Sequence, residues 1–291
     1  MHVVGTGLSG LVGTRVTKLL STSFTFTDLS RETGIDITDH KVVEEQIGNA
    51  QSDWIFHFAA YTNVQEAENQ KNEGKESLAY KINVGATKDI ADTCRKMRKH
   101  LLYISTDYIF DGSKEEYSET DTGNPISYYG QTKYEGEEAV KALGNLGLVL
   151  RISTPYRAFP VGKIDFMHKI LTFLKEGKTV TSPSDMWFCP TFIDDIAAVI
   201  PDLITGSHSG VVHIPAARPI TPYQAAVTIA QTFQVPDPHI IEGSYDAYYE
   251  NKAKAPKQAR LRHDTIDKLG LSLHSFDEGI ASIFQEEVNN T

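Results

Sequence analysis

The first half of the chain alternates short apolar runs with amphipathic stretches. The apolar runs hold few polar residues, which is typical of strands that are buried on both faces of a sheet. They are HVV (2–4), FTFT (24–27), WIFHF (54–58), LLYIS (101–105) and LVLRI (148–152). Helical patterns lie between them near 11–20, 39–48, 77–97 and 129–143. This alternation predicts an α/β fold in which crossover helices cover a parallel sheet.

The pattern becomes less regular after residue 152, where prolines interrupt it at 155, 160, 183 and 190. A helix is predicted within PTFIDDIAAVIPDL, and the strand GVVHI (210–214) is expected to return to the sheet. Two further helices are predicted at 222–233 and 276–288. We therefore expect a dinucleotide-binding domain at 1–152, joined by 191–214. A smaller substrate-binding α/β region would comprise 153–190 and 215–291.

Composition and charge exclude several classes of function. The 291 residues carry a formal charge of −10 with a pI near 5.5, which argues against binding to nucleic acid or an anionic membrane. No apolar run approaches the ~20 residues of a membrane-spanning helix. The first residues show no charged region followed by a long apolar run, so secretion is not expected, and the two cysteines, Cys94 and Cys189, lie far apart without a metal-ligand cluster. A cytoplasmic protein without a metal site is expected.

A glycine turn follows the first predicted strand, where GTGLSGLVG places Gly7, Gly10 and Gly13 at three-residue intervals before a helix. The first glycine allows a tight turn, the second lets a pyrophosphate approach the backbone, and the third lets the helix pack closely on the strand. Free N–H groups at the helix end attract phosphates. The turn therefore predicts a Rossmann-type, doubly wound sheet that binds a dinucleotide, with a purely structural turn as the alternative.

An acidic residue follows the second strand. Asp28 could accept hydrogen bonds from the adenosine ribose and repel a 2′-phosphate, which favours NAD over NADP. Arg31 lies close enough to accommodate that phosphate, so both cofactors stay open. A turn or helix cap is the alternative role for Asp28.

A tyrosine and a lysine stand four residues apart in SYYGQTKYEGE, residues 127–137. On a helix, Tyr129 and Lys133 would share one face and could meet over a ligand. Packing on a helix surface explains the same spacing, so this pair alone does not decide between the two.

Four motifs in order, TGLSGLVG, HFAAYTNVQEAE, YISTDYIFDG and YYGQTK, resemble the extended short-chain dehydrogenase/reductases. Among these, the chain is most similar to the dTDP-4-dehydrorhamnose reductase family of nucleotide-sugar enzymes. The similarity to this family is strongest over the first 150 residues. It continues through RIST, CPTFIDDIA and PKQARL. It implies NAD(P) as cofactor, a nucleotide sugar as substrate and a possible homodimer.

The resemblance also implies residue roles. The catalytic residues would be Thr106, Tyr129 and Lys133, with Tyr129 as the proton donor and Lys133 lowering its pKa. The positions implied for the cofactor are Gly7, Gly10, Leu11, Val12, Gly13, Asp28, Asp36, Ile37, Ala59, Ala60, Tyr61, Tyr129 and Lys133. Those expected to contact substrate are Thr62, Val64, Asp107, Thr154 and Arg260. Asn83 would have a structural role.

The resemblance leaves more than one activity open. Dehydratases of the superfamily carry Thr-Asp-Glu after the fourth strand, whereas this chain reads Thr106-Asp107-Tyr108, so we expect a reductase of a 4-keto-6-deoxy sugar nucleotide. An epimerase is the alternative among enzymes. A non-catalytic subunit is another, because the branch also resembles the β subunit of methionine adenosyltransferase.

The substrate pocket departs from the family pattern. Thr154 stands where the family has a sugar-contacting tryptophan, and Met186 and Phe188 replace a glutamine and a glycine. We therefore expect a remodelled pocket.

Three other polar positions are given structural roles. His57 is expected to be a buried strand histidine rather than a catalyst. Asp194 and Asp195 are expected to occupy the first turn of a helix without binding a metal.

Overall fold

The computed structural model describes residues 1–289. The strands are β1 (His2–Thr6), β2 (Thr25–Leu29), β3 (Trp54–His57), β4 (His100–Thr106), β5 (Gly147–Ile152), β6 (Val180–Pro183), β7 (Trp187–Phe188), β8 (Gly210–His213), β9 (Ile240–Gly243) and β10 (Gln258–Ala259). The helices are α1 (Leu11–Leu20), α2 (His40–Gly48), α3 (Val64–Asn69), α4 (Leu78–Tyr80), α5 (Thr87–Met97), α6 (Tyr128–Lys141), α7 (Phe166–Lys175), α8 (Ile193–Thr205), α9 (Pro222–Thr232), α10 (Tyr245–Tyr249), α11 (Asp264–Lys268) and α12 (Phe276–Asn289).

Six parallel strands form the central sheet in the order β2-β1-β3-β4-β5-β8. The predicted α/β fold with a Rossmann-type parallel sheet is confirmed. The chain adds β2 on one side of β1 and β3 on the other, so the winding direction reverses between β1 and β3. Ligands of open α/β sheets bind at such a point, beyond the carboxyl ends of the strands.

Helices cover both faces of this sheet, which explains why its strands are apolar at nearly every position. On one face, α1 and α8 pack through residues such as Val16, Ile196 and Ile200. On the other face, α2 and α5 pack through residues such as Ile47 and Ile90. β8 pairs with β5, so the strand predicted at 210–214 lies in the sheet.

The C-terminal region has a core of its own. Helices α7, α9 and α12 pack around Tyr156, Phe188 and Phe276, and two small parallel sheets, β6 with β9 and β7 with β10, lie beside them. The sequence predicted irregular structure over 153–190, but α7, β6 and β7 form there. The strands β6 and β7 are only four and two residues long, and glycine or proline interrupts the sequence near all three elements, which hid their periodicity.

Partly buried ion pairs and hydrogen bonds join this region to helices α1 and α8, which pack on the central sheet. Arg15 of α1 donates two hydrogen bonds to Asp194, at 2.7 and 2.5 Å, and two to Glu286 of α12, at 2.8 and 2.5 Å. Asp195 accepts from the backbone N–H of His274 and lies 2.6 Å from its Nδ1. The two aspartates at the start of α8 therefore hold neighbouring elements together.

A π-helical turn at Lys81–Ala86 interrupts the long helix that the sequence predicted over 77–97. The turn carries Asn83, whose amide donates to the carbonyl of Tyr61 and to Thr132 Oγ1 and whose Oδ1 accepts from the Tyr61 N–H. Such turns are frequent at functional sites. Here, Asn83 fixes the loop after β3 against α6.

No helix within residues 1–289 has both the length and the apolar character needed to cross a bilayer. Both cysteines are buried free thiols. Across the same residues, His, Cys, Asp and Glu side chains form no group of three that could hold a metal ion.

Candidate active site

A cavity of about 720 Å³ opens beyond the carboxyl ends of β1, β3, β4 and β5. Most of the positions implied for cofactor and substrate lie along its wall. They are Gly7, Gly10, Leu11, Val12, Gly13, Asp36, Ile37, Ala59, Ala60, Thr62, Val64, Thr106, Tyr129, Lys133 and Thr154. Four implied positions do not line it: Asp28, Tyr61, Asp107 and Arg260.

The glycine turn has the geometry of a dinucleotide cradle. Gly7 has a φ of 67°, and a Cβ there would lie 2.4 Å from the backbone nitrogen of Ala59. A Cβ on Gly13 would lie 2.4 Å from the carbonyl oxygen of Gly7. A Cβ on Gly10 would meet only that same oxygen, at 3.2 Å, so the surface at Gly10 is open.

Gly10 is also the N-cap of α1 and supplies no side-chain cap, which leaves the first N–H groups of the helix without a capping acceptor. Open backbone and free donors at one place fit a pyrophosphate group.

Asp28 does not line the cavity. Its Oδ1 accepts a hydrogen bond of 3.2 Å from the Leu8 N–H, so the carboxylate braces the glycine turn. The wall at this end of the cavity is formed by Ser30 and Arg31 instead. The Arg31 side chain is 69% exposed and lies 3.9 Å from Asp36.

The loop after β3 gives the cavity its next section of wall. Ala59 and Ala60 line it, whereas Tyr61 is turned away and its hydroxyl accepts from Gln70 Nε2 at 3.0 Å. The backbone of Tyr61 is hydrogen-bonded to the Asn83 side chain, so Tyr61 helps to position the loop rather than lining the cavity.

A buried hydrogen-bond chain holds Thr106 at the end of β4. The Thr106 hydroxyl donates to Asp107 Oδ1 at 3.1 Å and accepts from the Tyr108 N–H at 3.3 Å. Ser153 donates to the other carboxylate oxygen of Asp107 at 2.6 Å. Burial raises the pKa of Asp107 to about 6. Asp107 therefore lies behind Thr106 and contacts it, rather than forming part of the cavity wall.

Tyr129 and Lys133 lie on α6, one turn apart, and both line the cavity although they are only 8% and 2% exposed. Ser127 caps the helix and accepts from the Gly130 N–H. Lys133 Nζ donates to the carbonyl of Ile104 at 2.8 Å and lies 4.0 Å from the centre of the Tyr103 ring. These contacts fix the position of the Lys133 side chain at the cavity wall.

The protonation states differ from the expected ones in one respect. Lys133 was expected to lower the pKa of Tyr129, but burial raises the pKa of this tyrosine above its ordinary value, with Thr106 opposing the shift. Burial also lowers the pKa of Lys133 to about 7, with Glu137 opposing. Desolvation outweighs the attraction between charges because both groups are enclosed. At neutral pH, Tyr129 keeps its proton.

Behind this face of α6 lies a buried ion pair. Glu137 accepts from Arg151 at 2.6 Å and from Ser105 at 2.7 Å, and both charged side chains are almost completely buried. His57 lies deeper, between Thr6 and Thr87 at 2.6 and 2.9 Å, and burial lowers its pKa to about 3. A neutral, fully enclosed histidine has no access to a ligand, in line with its expected structural role.

The residues expected to remodel the substrate pocket lie in two places. Thr154 lines the cavity with a φ of 39°, an unfavourable conformation for a β-branched residue and one that is concentrated at functional sites. Met186 and Phe188 are buried away from the cavity, with Phe188 against Phe166. Their effect on the pocket is therefore indirect.

Arg260 lies outside the cavity. Its guanidinium stacks on the ring of Trp187 at 4.4 Å, and its Nη1 donates to Glu115 at 3.1 Å. These contacts are an ion pair and a cation–π contact within the protein, outside the cavity.

Sequence analysis missed the wall that faces the glycine turn. It is formed by Pro155, Lys163, Ile164, Asp165, Phe166 and Lys169. No spacing in this segment marks a ligand site. The one feature of the sequence that could have indicated a ligand contact is Lys163, which follows Gly162 in the loop before α7.

A sequence-family model described as RmlD substrate binding domain matches residues 1–289. The chain belongs to this RmlD family. The family lies within the extended short-chain dehydrogenase/reductases, which confirms the resemblance found in the sequence.

Among relatives of this RmlD-family chain is a dTDP-4-keto-6-deoxy-D-glucose reductase of Streptomyces niveus. It is 30% identical over 272 residues, which cover 92% of this chain and 90% of the relative. The methionine adenosyltransferase 2 subunit beta of Rattus norvegicus is 30% identical over 246 residues, which cover 81% of this chain and 71% of the relative.

A solved structure supports the same kinship. The dTDP-4-dehydrorhamnose reductase of Bacillus anthracis, in complex with NADP, superposes with a TM-score of 0.89 at 27% identity, covering 98% of this chain and 99% of the other.

Proposed function

We propose that the protein is an NAD(P)-dependent reductase of a nucleotide-activated 4-keto-6-deoxy sugar. One observation carries the proposal: Thr106, Tyr129 and Lys133 line a single cavity together with the open glycine turn. The reductase names of several relatives support the choice of substrate class.

The residues could divide the reaction as follows. A bound nicotinamide would supply the hydride. Tyr129 would give its proton to the carbonyl oxygen of the sugar, since its raised pKa keeps it protonated at neutral pH. Lys133, in its charged form, would stabilise the phenolate that remains. It is already oriented by its bond to the Ile104 carbonyl.

Thr106 would donate a second hydrogen bond to the same oxygen. Its single hydroxyl proton now goes to Asp107, so this bond must break when the substrate binds. Ser153 continues to satisfy the Asp107 carboxylate at its other oxygen, which limits the cost of the exchange.

On cofactor preference, the geometry supports the use of NADP(H) as well as NAD(H). The residue expected to reject a 2′-phosphate, Asp28, is bonded to the glycine turn, while Arg31 lines the cavity. Replacing Arg31 by Ala should therefore raise KM for NADPH more than KM for NADH. An equal change for both cofactors would contradict this.

The proposed function is tested by mixing the protein with an enzymatically prepared dTDP-4-keto-6-deoxyhexose and either NADH or NADPH. Loss of reduced-nicotinamide absorbance, in proportion to sugar consumed, is the expected result. An epimerase would instead retain its cofactor through purification and show no net oxidation.

A regulatory subunit is the second candidate because methionine adenosyltransferase β subunits are among the relatives. The complete Thr-Tyr-Lys set weighs against it, since a non-catalytic subunit does not need these residues. Cofactor binding without reduction, together with a stoichiometric partner in copurification, would favour this candidate.

A further inference from the structure

The cavity is positively charged although the chain carries a net charge of −10. Its cationic lining residues are Arg31, Lys133, Lys163 and Lys169, and its acidic ones are Asp36 and Asp165. Charges of one sign that gather in a cleft attract ligands of the opposite sign.

Both lining carboxylates are already engaged. Asp36 accepts from the Thr38 hydroxyl at 2.8 Å and lies near Arg31. Asp165 accepts from the backbone N–H groups of Arg157 and His168 and lies 2.9 Å from the His168 ring. Within residues 1–289, no ion pair to a carboxylate is found for Lys163 or Lys169. Lys163 and Lys169 therefore account for the excess of positive over negative charge in the cavity, and we call them the surplus lysines.

Lys163 spans the crevice. Its Nζ donates to Thr62 Oγ1 at 2.9 Å, which connects the segment after β5 to the loop after β3. A neutral hydroxyl is a weak partner for an ammonium, so an anion that entered here would replace Thr62 with a charge-assisted bond.

The ends of the loop that carries Lys163 are anchored. Arg157 donates to the Leu11 carbonyl at 3.1 Å and to Thr14 Oγ1 at 2.5 Å, both on α1. At the other end, Asp165 caps α7. The loop is thereby held beside the first turn of α1, where the free N–H groups for a pyrophosphate lie.

The two surplus lysines also influence each other. Partial desolvation by the surrounding chain, and then the charge of Lys169, lowers the pKa of Lys163, although its side chain remains exposed. An anion between the two ammonium groups would remove this repulsion.

We infer that Lys163, supported by Lys169, binds a diphosphate group and that Thr62 holds Lys163 in position until the ligand arrives. Two ligands of the proposed function carry this group: the dinucleotide, through its pyrophosphate, and the nucleotide sugar, through its diphosphate. The inference rests on the proposed function for the choice of ligands.

The test measures dissociation constants by isothermal titration calorimetry, with NADPH, dTDP and thymidine as separate probes. The proteins are the unaltered chain, Lys163→Met, Lys169→Met and Lys163→Arg. Lys88→Met is the matched control because Lys88 is exposed on α5 and does not line the cavity. Lys163→Met should raise the dissociation constant for NADPH or for dTDP by about tenfold or more, as expected for the loss of a charge-assisted hydrogen bond. Lys163→Arg should retain most of the affinity, and Lys169→Met should show a smaller loss.

The pattern of losses identifies the source of the phosphate. A loss confined to NADPH assigns Lys163 to the cofactor pyrophosphate, and a loss confined to dTDP, with thymidine unaffected, assigns it to the substrate. Unchanged affinity for both, or an equal loss in Lys88→Met, would overturn the inference. Since no turnover is measured, failure here leaves the reductase proposal standing, and absence of reductase activity leaves this result valid.

Discussion

The two walls of the cavity are built differently. The strand-end wall, from residues 1–152, holds its polar groups by buried bonds, as in Lys133 to Ile104 and Thr106 to Asp107. The loop wall, from residues 153–169, carries an exposed apolar side chain, Ile164, which is 49% exposed, and a bond from Lys163 across the crevice to Thr62. Groups that perform chemistry need a fixed geometry, whereas a surface that recognises a ligand can adjust. The groups that perform chemistry therefore lie on the first wall, beside the glycine turn, and the second wall contributes only to ligand recognition.

The largest expected effect is on the strand-end wall. Tyr129→Phe should lower kcat by about 10²–10⁴-fold, the usual contribution of a positioned general acid, while the affinity for NADPH is kept. Steady-state kinetics and a cofactor titration on the same preparation would measure both.

Tyr128, which precedes Tyr129 in the sequence, provides the matched control. The Tyr128 hydroxyl donates to the Gly74 carbonyl at 2.7 Å, away from the cavity, so Tyr128→Phe should reduce stability by about 1 kcal/mol and change kcat little. Equal losses of kcat in the two variants would contradict the assignment of the acid to Tyr129.

The glycine turn separates binding from folding. Gly10→Ala adds a methyl group on the open surface where a pyrophosphate would approach, so the Kd for NADPH should rise by about tenfold or more.

Gly13→Ala places its Cβ against the Gly7 carbonyl and should reduce the free energy of unfolding by about 1–3 kcal/mol. Chemical denaturation and calorimetry would compare them. Tight cofactor binding by a stable Gly10→Ala protein would exclude the cradle.

The pH dependence tests the charge state of Lys133. Since burial lowers its pKa to about 7, the ammonium predominates below that pH and the neutral amine above it. The account needs the ammonium, so kcat/KM for NADPH should fall as pH rises through about 7, with a limiting slope of about tenfold per pH unit.

Lys133→Arg stays charged and should lose that limb of the profile, at lower overall activity. A profile of the unaltered chain that is flat or rising between pH ~7 and ~9 would contradict the role of Lys133.

The smallest effect is expected outside both walls. Arg260→Met removes a cation that stacks on Trp187 and pairs with Glu115, so KM for the nucleotide sugar should change by less than about threefold. A tenfold rise in KM would show that substrate recognition extends beyond the loop wall.

The residues of the strand-end wall could be predicted from the sequence because the patterns that indicate them are local. Strand ends, the glycine turn and the spacing of Tyr129 and Lys133 all depend on short-range geometry, and all of them line the cavity. Asp28 shows the limit of this reasoning. Its position was expected correctly, but the direction of its carboxylate depends on the Leu8 N–H, a tertiary contact across 20 residues.

The loop wall was not predicted because its residues meet the cavity only through long-range packing. Lys163 acquires its position from Arg157, which bonds to Thr14 of α1 across 143 residues of chain, and from its own bond to Thr62. The pKa of Tyr129 is a second case, because spacing indicates the neighbouring charge but not the depth of burial, and burial decided the direction.

The central claim is net hydride donation to a sugar carbonyl, and isotope transfer tests it most directly. NADPH carrying deuterium at the transferable position would be incubated with the keto-sugar nucleotide and the protein, and the product analysed by mass spectrometry and NMR. We predict one deuterium at the carbon of the former keto group and one oxidised cofactor per sugar. Recovery of sugar without deuterium, with the cofactor still reduced, would contradict the account.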